Sequence, residues 1–169
     1  MTLPLHTASV AVFRQMLGGL NDVLAKAATH AADQNFEPTV LLQTRLFPNM
    51  FPLVRQVQIA CDFARSVSAR LSGQAVPAND DKEASIEELQ ALIARTLGFL
   101  NSVTPEQLSG GEERSIVLRP GTPKEKTMSG QAYLLNYGLP QFFFHVTTAY
   151  ALLRHNGVAV GKRDFMGAY

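Results

Sequence analysis

Residues 139–157 constrain the fold more than any other part of the chain. Their sequence, LPQFFFHVTTAYALLRHNG, is mostly apolar and contains no acidic residue. The closing Asn156-Gly157 pair is typical of the end of a helix. Because a long apolar helix needs other helices to cover it, this segment predicts a bundle of long helices with His145 at mid-bundle.

Three earlier segments repeat apolar residues at the three- and four-residue spacing of amphipathic helices. The first predicted helix spans about 4–30. The second opens within 47–52 and reaches about Leu71. The third begins at Ser85, which forms a capping box with Glu88: the serine oxygen accepts from the third residue's N–H, and the glutamate bonds back.

The second predicted helix has two faces. A helical wheel places Asn49 and Gln56 on the boundary between them, since these residues are seven apart. The residues predicted to point away from the core are Arg55, Gln58, Asp62 and Arg65.

Residues 110–130 interrupt the helical pattern. Ser115–Leu118 has β-branched character and a Pro-Gly turn follows, so we expect a small hairpin. The last helix should then begin near Ser129 and be kinked or broken around Gly138-Leu139-Pro140. The chain is therefore predicted to be all-α: one domain over 1–169, an antiparallel four-helix bundle with a hairpin-like insertion before the last helix.

Two further features predict close packing. Gly18 and Gly19 each weaken the first helix by about 1 kcal/mol, and a close approach of another helix would explain them. The tail after residue 157 is too short for a domain, and we expect it to pack along the bundle through Val160 and Phe165.

Composition excludes several classes of function. The formal net charge is +1, which argues against a nucleic-acid or anionic-membrane partner. The chain has one cysteine, so it forms no intrachain disulfide and fits a reducing compartment. The sequence shows neither a leader pattern nor an uninterrupted apolar stretch of about 18 residues. We therefore expect a soluble cytoplasmic protein.

His145 is the main candidate for a functional side chain. It lies roughly 80° from the apolar centre of its helix, which predicts a half-buried position facing a neighbouring helix. Imidazole there suits a metal ligand or a general base. A histidine that only bonds to the neighbouring helix is the other interpretation, and the sequence leaves both open.

The chain resembles the DinB/YfiT-like superfamily of helical bundles, within a bacterial branch of unassigned function. The resemblance covers essentially the whole chain, and its motifs are residues 49–58 (NMFPLVRQVQ), 144–150 (FHVTTAY) and 161–165 (GKRDF). It implies a metal site with one histidine from the second helix and a His-x-x-x-His pair on the last. Several metal-binding members are thiol-dependent transferases or hydrolases.

This sequence departs from the implied metal site at two of three ligands. The second helix has no histidine, and the positions four before and four after His145 are Gln141 and Ala149. No Asp or Glu occurs from Ser129 to Arg163. Neutral amides are poor ligands for zinc or nickel, so we predict no metal or other cofactor; His145 would be the ligand if a metal were bound.

These observations favour a DinB-like bundle that has lost its metal site and binds a small ligand or partner. The predicted cleft lies between the second and last helices, lined by Asn49, Gln56, Gln141, His145 and Thr148. The alternative is a metal-dependent transferase or hydrolase with a divergent ligand set centred on His145. A third class is a purely structural or oligomeric interaction protein.

Cys61 and a run of three phenylalanines are the remaining hydrophobic features of note. Cys61 lies on the apolar face of the second helix, which favours a structural over a catalytic role. Phe142, Phe143 and Phe144 are consecutive, so they cannot all face one core, and Phe144 should point almost opposite to Phe142. The insertion, the tail or a second subunit would cover Phe144, and we favour a homodimer.

Overall fold

In the computed structural model, which describes residues 3–169, the chain is mostly helical with one small sheet. The helices are α1 (Leu5–Ala8), α2 (Val10–Asp33), α3 (Thr39–Leu42), α4 (Leu53–Ser72), α5 (Ile86–Ser102), α6 (Gly130–Tyr133), α7 (Leu139–His155) and α8 (Lys162–Met166). The strands are β1 (Ser115–Leu118) and β2 (Lys126–Ser129). A 3₁₀ turn lies at Glu106–Leu108, and a π-helical turn at Leu134–Gly138 joins α6 to α7.

The four long helices share one hydrophobic core. Helix α4 packs against α5 and α7, and α2 packs against the same two helices. Phe13 of α2 and Phe142 of α7 are fully buried and meet edge to face, with ring centroids 4.8 Å apart. Burial of each ring contributes about 1.5–3 kcal/mol. Within residues 3–169, no helix combines the length and apolar character needed to cross a membrane.

Helix α4 begins later than the sequence predicted. Its first residue is Leu53, with Pro52 at the N-cap, so Asn49 lies in the connector. The two prolines of this connector explain the difference, because a proline disfavours helical geometry in the residue before it. The predicted end of the helix is confirmed: it stops at Ser72, and Gly73 takes the left-handed conformation at φ 74°.

The prediction that Gln58 and Arg65 face solvent was wrong: both are buried. The segment 74–85 crosses this side of α4, and the Glu83 carboxylate accepts a hydrogen bond from Gln58 Nε2 at 2.8 Å. Arg55, which stays partly exposed, forms an ion pair with Asp81 of the same segment at 2.7 Å. A helical wheel describes one helix only, so it cannot predict that a distant segment will cover one of its faces.

The predicted capping of α5 by Ser85 is confirmed. The Ser85 hydroxyl accepts a hydrogen bond from the Glu88 N–H at 3.1 Å. The Glu88 carboxylate bonds back to the N–H of Ala84 at 2.6 Å, one residue earlier than in the predicted capping box. Both bonds satisfy donors at the helix start.

The interruption before the last helix has the predicted form. Strands β1 and β2 are antiparallel, with Ser115 opposite Ser129. The Ser129 hydroxyl then caps α6 by accepting from the Ala132 N–H at 3.3 Å. The π-helical turn follows, immediately before Pro140. Proline lacks an N–H and crowds the carbonyl four residues earlier, which explains the irregular turn at this point.

The tail packs against the bundle as predicted. Val160 is buried, and the Phe165 ring lies 5.5 Å from that of Tyr150, edge to face. The close approach at the glycine pair occurs only at Gly19, and the tail is the segment that approaches it. A Cβ at Gly19 would lie 3.0 Å from the carbonyl oxygen of Phe165, whereas one at Gly18 would meet nothing within 4 Å.

These two neighbouring glycines give a matched test of the tail contact. We expect Gly18→Ala to stabilise the protein by about 0.5–1 kcal/mol, because alanine is the better helix former. Gly19→Ala should instead destabilise it by about 1–3 kcal/mol, because the new methyl group displaces the tail backbone. Urea unfolding of both variants measures the difference. Equal stability of the two variants would contradict the tight packing of α8 on α2.

Candidate functional site

The candidate site centres on a hydrogen-bonded pair between α7 and α4. His145 is 7% exposed, and Gln56 is 1% exposed. The Nδ1 atom of His145 lies 2.7 Å from the Oε1 atom of Gln56. The structure therefore contains the bond to a neighbouring helix that the sequence offered as one interpretation of this histidine.

The hydrogen bonds of Gln56 define the protonation of the imidazole. Gln56 Nε2 donates to the carbonyl oxygen of Phe51 at 3.0 Å, so its Oε1 atom is the acceptor that faces His145. Nδ1 of the ring must then carry the hydrogen; this tautomer is assigned from the hydrogen-bond network. The second ring nitrogen, Nε2, keeps its lone pair; it makes no hydrogen bond to residues 3–169 and is not fully enclosed.

The surroundings of His145 keep the ring neutral. Burial first, and then the positive charge of Arg55, lower the pKa of His145 to about 4. Near neutral pH the side chain is therefore a hydrogen-bond donor at Nδ1 and an acceptor at Nε2. It is poorly suited to general-base catalysis, because a base with so low a pKa takes up a proton weakly.

Aromatic side chains border the histidine. Phe63 of α4 stacks on it with an angle of 14° between the rings and 6.1 Å between their centroids. Phe144 meets it edge to face at 5.2 Å. Next to this cluster, Gln141 and Phe144 line an open depression of about 220 Å³, together with residues of the π-helical turn.

The other predicted site residues are placed differently. Gln141 is half-buried and lines the depression, whereas Asn49 is exposed on the connector before α4. Thr148 is buried, and its hydroxyl donates to the carbonyl oxygen of Phe144 at 2.7 Å. The structure thus brings Gln56 directly to His145. It joins neither Asn49 nor Thr148 to that pair by a hydrogen bond.

The donors needed for a metal centre do not converge on His145. Within the described part of the chain, no group of three or more His, Cys, Asp or Glu residues is arranged to hold a metal ion. Cys61 is fully buried, and burial raises the pKa of its thiol to about 12. A thiol of this kind does not form a thiolate near neutral pH, so it is neither a ready ligand nor a nucleophile.

Sequence reasoning missed Phe63 and Tyr137. Phe63 stacks on His145, and the Tyr137 ring lies 5.8 Å from that of Phe63. The signal for Phe63 was available, because it lies seven residues after Gln56 and a spacing of seven returns to the same side of a helix. Tyr137 belongs to the π-helical turn, whose irregular geometry defeats that rule.

Comparison with known proteins identifies the class to which this helical chain belongs. A solved structure described as a DinB family member protein from Shewanella denitrificans is 38% identical to this chain, with a TM-score of 0.92. The alignment covers 98% of this chain and 93% of that one. Residues 5–166 match the family described as a domain of unknown function, DUF1993, and the chain belongs to that family. No curated protein matches the chain.

The Gln56–His145 bond predicts how a charge placed beside the ring changes its titration. In Gln56→Glu, a carboxylate next to Nδ1 favours the charged imidazolium, so we expect the pKa of His145 to rise by more than about one unit. Titration of the ring by NMR measures the shift.

Asn49→Asp is the matched control, because it makes the same charge change on the exposed connector. It should move the pKa of His145 little, since solvent screens an exposed charge. Similar shifts in the two variants would contradict the direct contact between Gln56 and His145.

Proposed function

We propose that this protein binds a small polar molecule through Nε2 of His145, without a metal ion. The observation that carries the proposal is the 2.7 Å bond between His145 Nδ1 and Gln56 Oε1, which leaves Nε2 as an acceptor. The ligand must then carry an N–H or O–H donor. A few fixed polar groups among apolar walls are the usual composition of a small-molecule site.

The depression beside the histidine supports this proposal. Gln141 supplies an amide that both donates and accepts, and Phe144 supplies an apolar wall. Of the five residues in the predicted cleft, the proposal keeps Gln56, Gln141 and His145, although His145 is buried rather than half-buried as the sequence predicted. Gln56 acts by orienting the imidazole, since both ends of its amide are already bonded.

A metal-dependent transferase or hydrolase is the second candidate. One observation favours it: metal-binding histidines commonly donate their other ring N–H to an oxygen atom, as His145 does to Gln56. Against it stands the lack, among residues 3–169, of a group of three or more strong ligands that could hold a metal ion.

The setting of this activity is also part of the proposal. The four long helices would form an antiparallel four-helix bundle within a single domain. The protein would act in the bacterial cytoplasm, where its single buried thiol stays reduced. The net charge of +1 gives no reason to expect a nucleic-acid partner.

Metal analysis and ligand screening separate the two candidates. We expect elemental analysis of protein purified without a metal-affinity tag to find no stoichiometric transition metal. We expect a thermal-shift screen of small hydrogen-bond donors to raise the melting temperature, because a ligand bound to the native state stabilises it. The shift should vanish in His145→Ala and persist in His155→Ala, which removes an exposed histidine from the end of the same helix.

A stoichiometric transition metal that is lost in His145→Ala would overturn the metal-free proposal in favour of the enzyme. Ligand shifts that are equal in the two histidine variants would place the binding site elsewhere.

We also propose that a second copy of the chain covers Phe144. Phe142 is fully buried and Phe143 packs against the core, but Phe144 is 55% exposed. Neither the hairpin nor the tail covers Phe144 enough to bury it. An exposed phenyl group forgoes about 1.5–3 kcal/mol of burial, and a twofold dimer, the commonest assembly among soluble oligomers, would recover it.

This dimer is tested by mass in solution. Light scattering should give about twice 18.4 kDa for the wild type, and Phe144→Ser should shift the protein toward the monomer. Tyr169→Ser, which changes a 94% exposed ring at the C-terminus, is the control and should leave the dimer intact. A wild type that is monomeric at a protein concentration of tens of micromolar would contradict the proposal.

A further inference from the structure

A second cleft, also lined by Phe63, carries charge that the site at His145 does not use. It has a volume of about 270 Å³ and is built from four separate segments: α4, the segment 74–85, the hairpin and the π-helical turn. The side chains that matter here are Asp62, Phe63, Arg65, Arg70, Arg119 and Tyr137.

Arg65 gives the cleft a buried positive charge. Its side chain is 8% exposed and is paired with Asp62 through Nη2. The Nε atom is enclosed without a hydrogen-bond partner, and Nη1 bonds to no residue of the described chain. A buried guanidinium with so few partners is costly for a folded protein, and a ligand in the cleft would supply the missing hydrogen-bond acceptors.

Two further arginines of the cleft have no carboxylate partner among residues 3–169. Arg70 donates from Nη1 to the hydroxyl of Tyr133 at 3.1 Å, a neutral partner, and its guanidinium lies 6.0 Å from the centroid of that ring. The side chain of Arg119 makes no hydrogen bond to the described residues, while its carbonyl oxygen anchors the hairpin turn. The cleft therefore presents three guanidinium groups and one carboxylate.

The remaining walls are apolar. Phe63 and Tyr137 meet edge to face at 5.8 Å, and Val76 and Leu118 complete the lining. An arginine-rich mouth beside an aromatic wall matches a ligand with an anionic head and an apolar body. Because Asp62 also lines the cleft, a monoanion is favoured over a dianion, which a like charge repels more strongly.

We propose that this cleft binds a small organic carboxylate. The carboxylate accepts hydrogen bonds from Arg70 and Arg119, and the apolar body lies against Phe63 and Tyr137. This goes beyond the site at His145, which takes a hydrogen-bond donor at a neutral imidazole. The volume of the cleft is just below the range typical of small-molecule pockets, so the ligand is compact.

Isothermal titration calorimetry of the full chain with benzoate tests the proposal. We expect saturable binding of one benzoate per chain that weakens as salt is added, because exposed charges are screened. Benzamide has the same shape without the charge and should bind about tenfold more weakly or worse, since hydrogen bonds to an ionised group are about twice as strong as neutral ones.

Variants locate the binding. Arg119→Gln should weaken benzoate binding by about tenfold or more, the effect of losing one hydrogen bond to a charged group. It should leave the fold unchanged, because this side chain bonds to nothing in the described chain. Arg70→Gln should weaken binding similarly. Arg14→Gln, the same charge change on the exposed side of α2, should leave the affinity unchanged.

Three results would overturn the proposal: no saturable binding, equal affinity for benzoate and benzamide, or an affinity indifferent to Arg119→Gln. Tighter binding of inorganic phosphate than of benzoate would overturn the assignment to a carboxylate. Arg70→Gln also removes the partner of Tyr133, so a melting curve must accompany it. If the Arg70→Gln variant unfolds, Arg119→Gln alone still decides the question.

Discussion

The packing of α7 against α4 is the contact on which the rest of the molecule depends. It places a polar pair, Gln56 and His145, in the contact between the two helices. Such a pair adds only about 1 kcal/mol when both partners are present, but an unpaired partner costs about 1–3 kcal/mol. The pair therefore favours one register of α7 on α4 over any that would separate the two side chains. That same register places Phe63 on the imidazole and Phe144 at its edge.

Elements with local signals were predicted correctly from the sequence. The cap at Ser85, the hairpin and the interruption before Pro140 each depend on residues that are close together in the sequence. The failures arose where distant segments meet. Gln58 and Arg65 were assigned to solvent, but the segment 74–85 covers that face of α4. No periodicity within a helix contains information about a cover that comes from a linker.

The candidate sites follow the same division. His145 and Gln56 were placed on facing boundaries of their helices because the helical period fixes both positions, and they meet in the structure. Asn49 would lie on the same side of α4 as Gln56 only if the helix began before Leu53. The prolines of the connector prevent this earlier start. The arginine cleft could not be predicted from the sequence, because four separate segments supply its walls. In addition, the helical wheel had assigned Arg65 to the side of α4 that points away from the core.

The electrostatics separate the two sites by function. Burial and Arg55 keep the imidazole of His145 uncharged, so the proposed site there would select a ligand by hydrogen-bond direction. The proposed cleft site would select by charge, through its three guanidinium groups. Phe63 touches both: one face of its ring stacks on His145, and the side chain also lines the cleft. Because side chains in a packed core have little free space, a ligand that displaced Phe63 in the cleft would also change the stacking of this ring on His145. Phe63 is therefore a side chain through which the two proposed sites would influence each other.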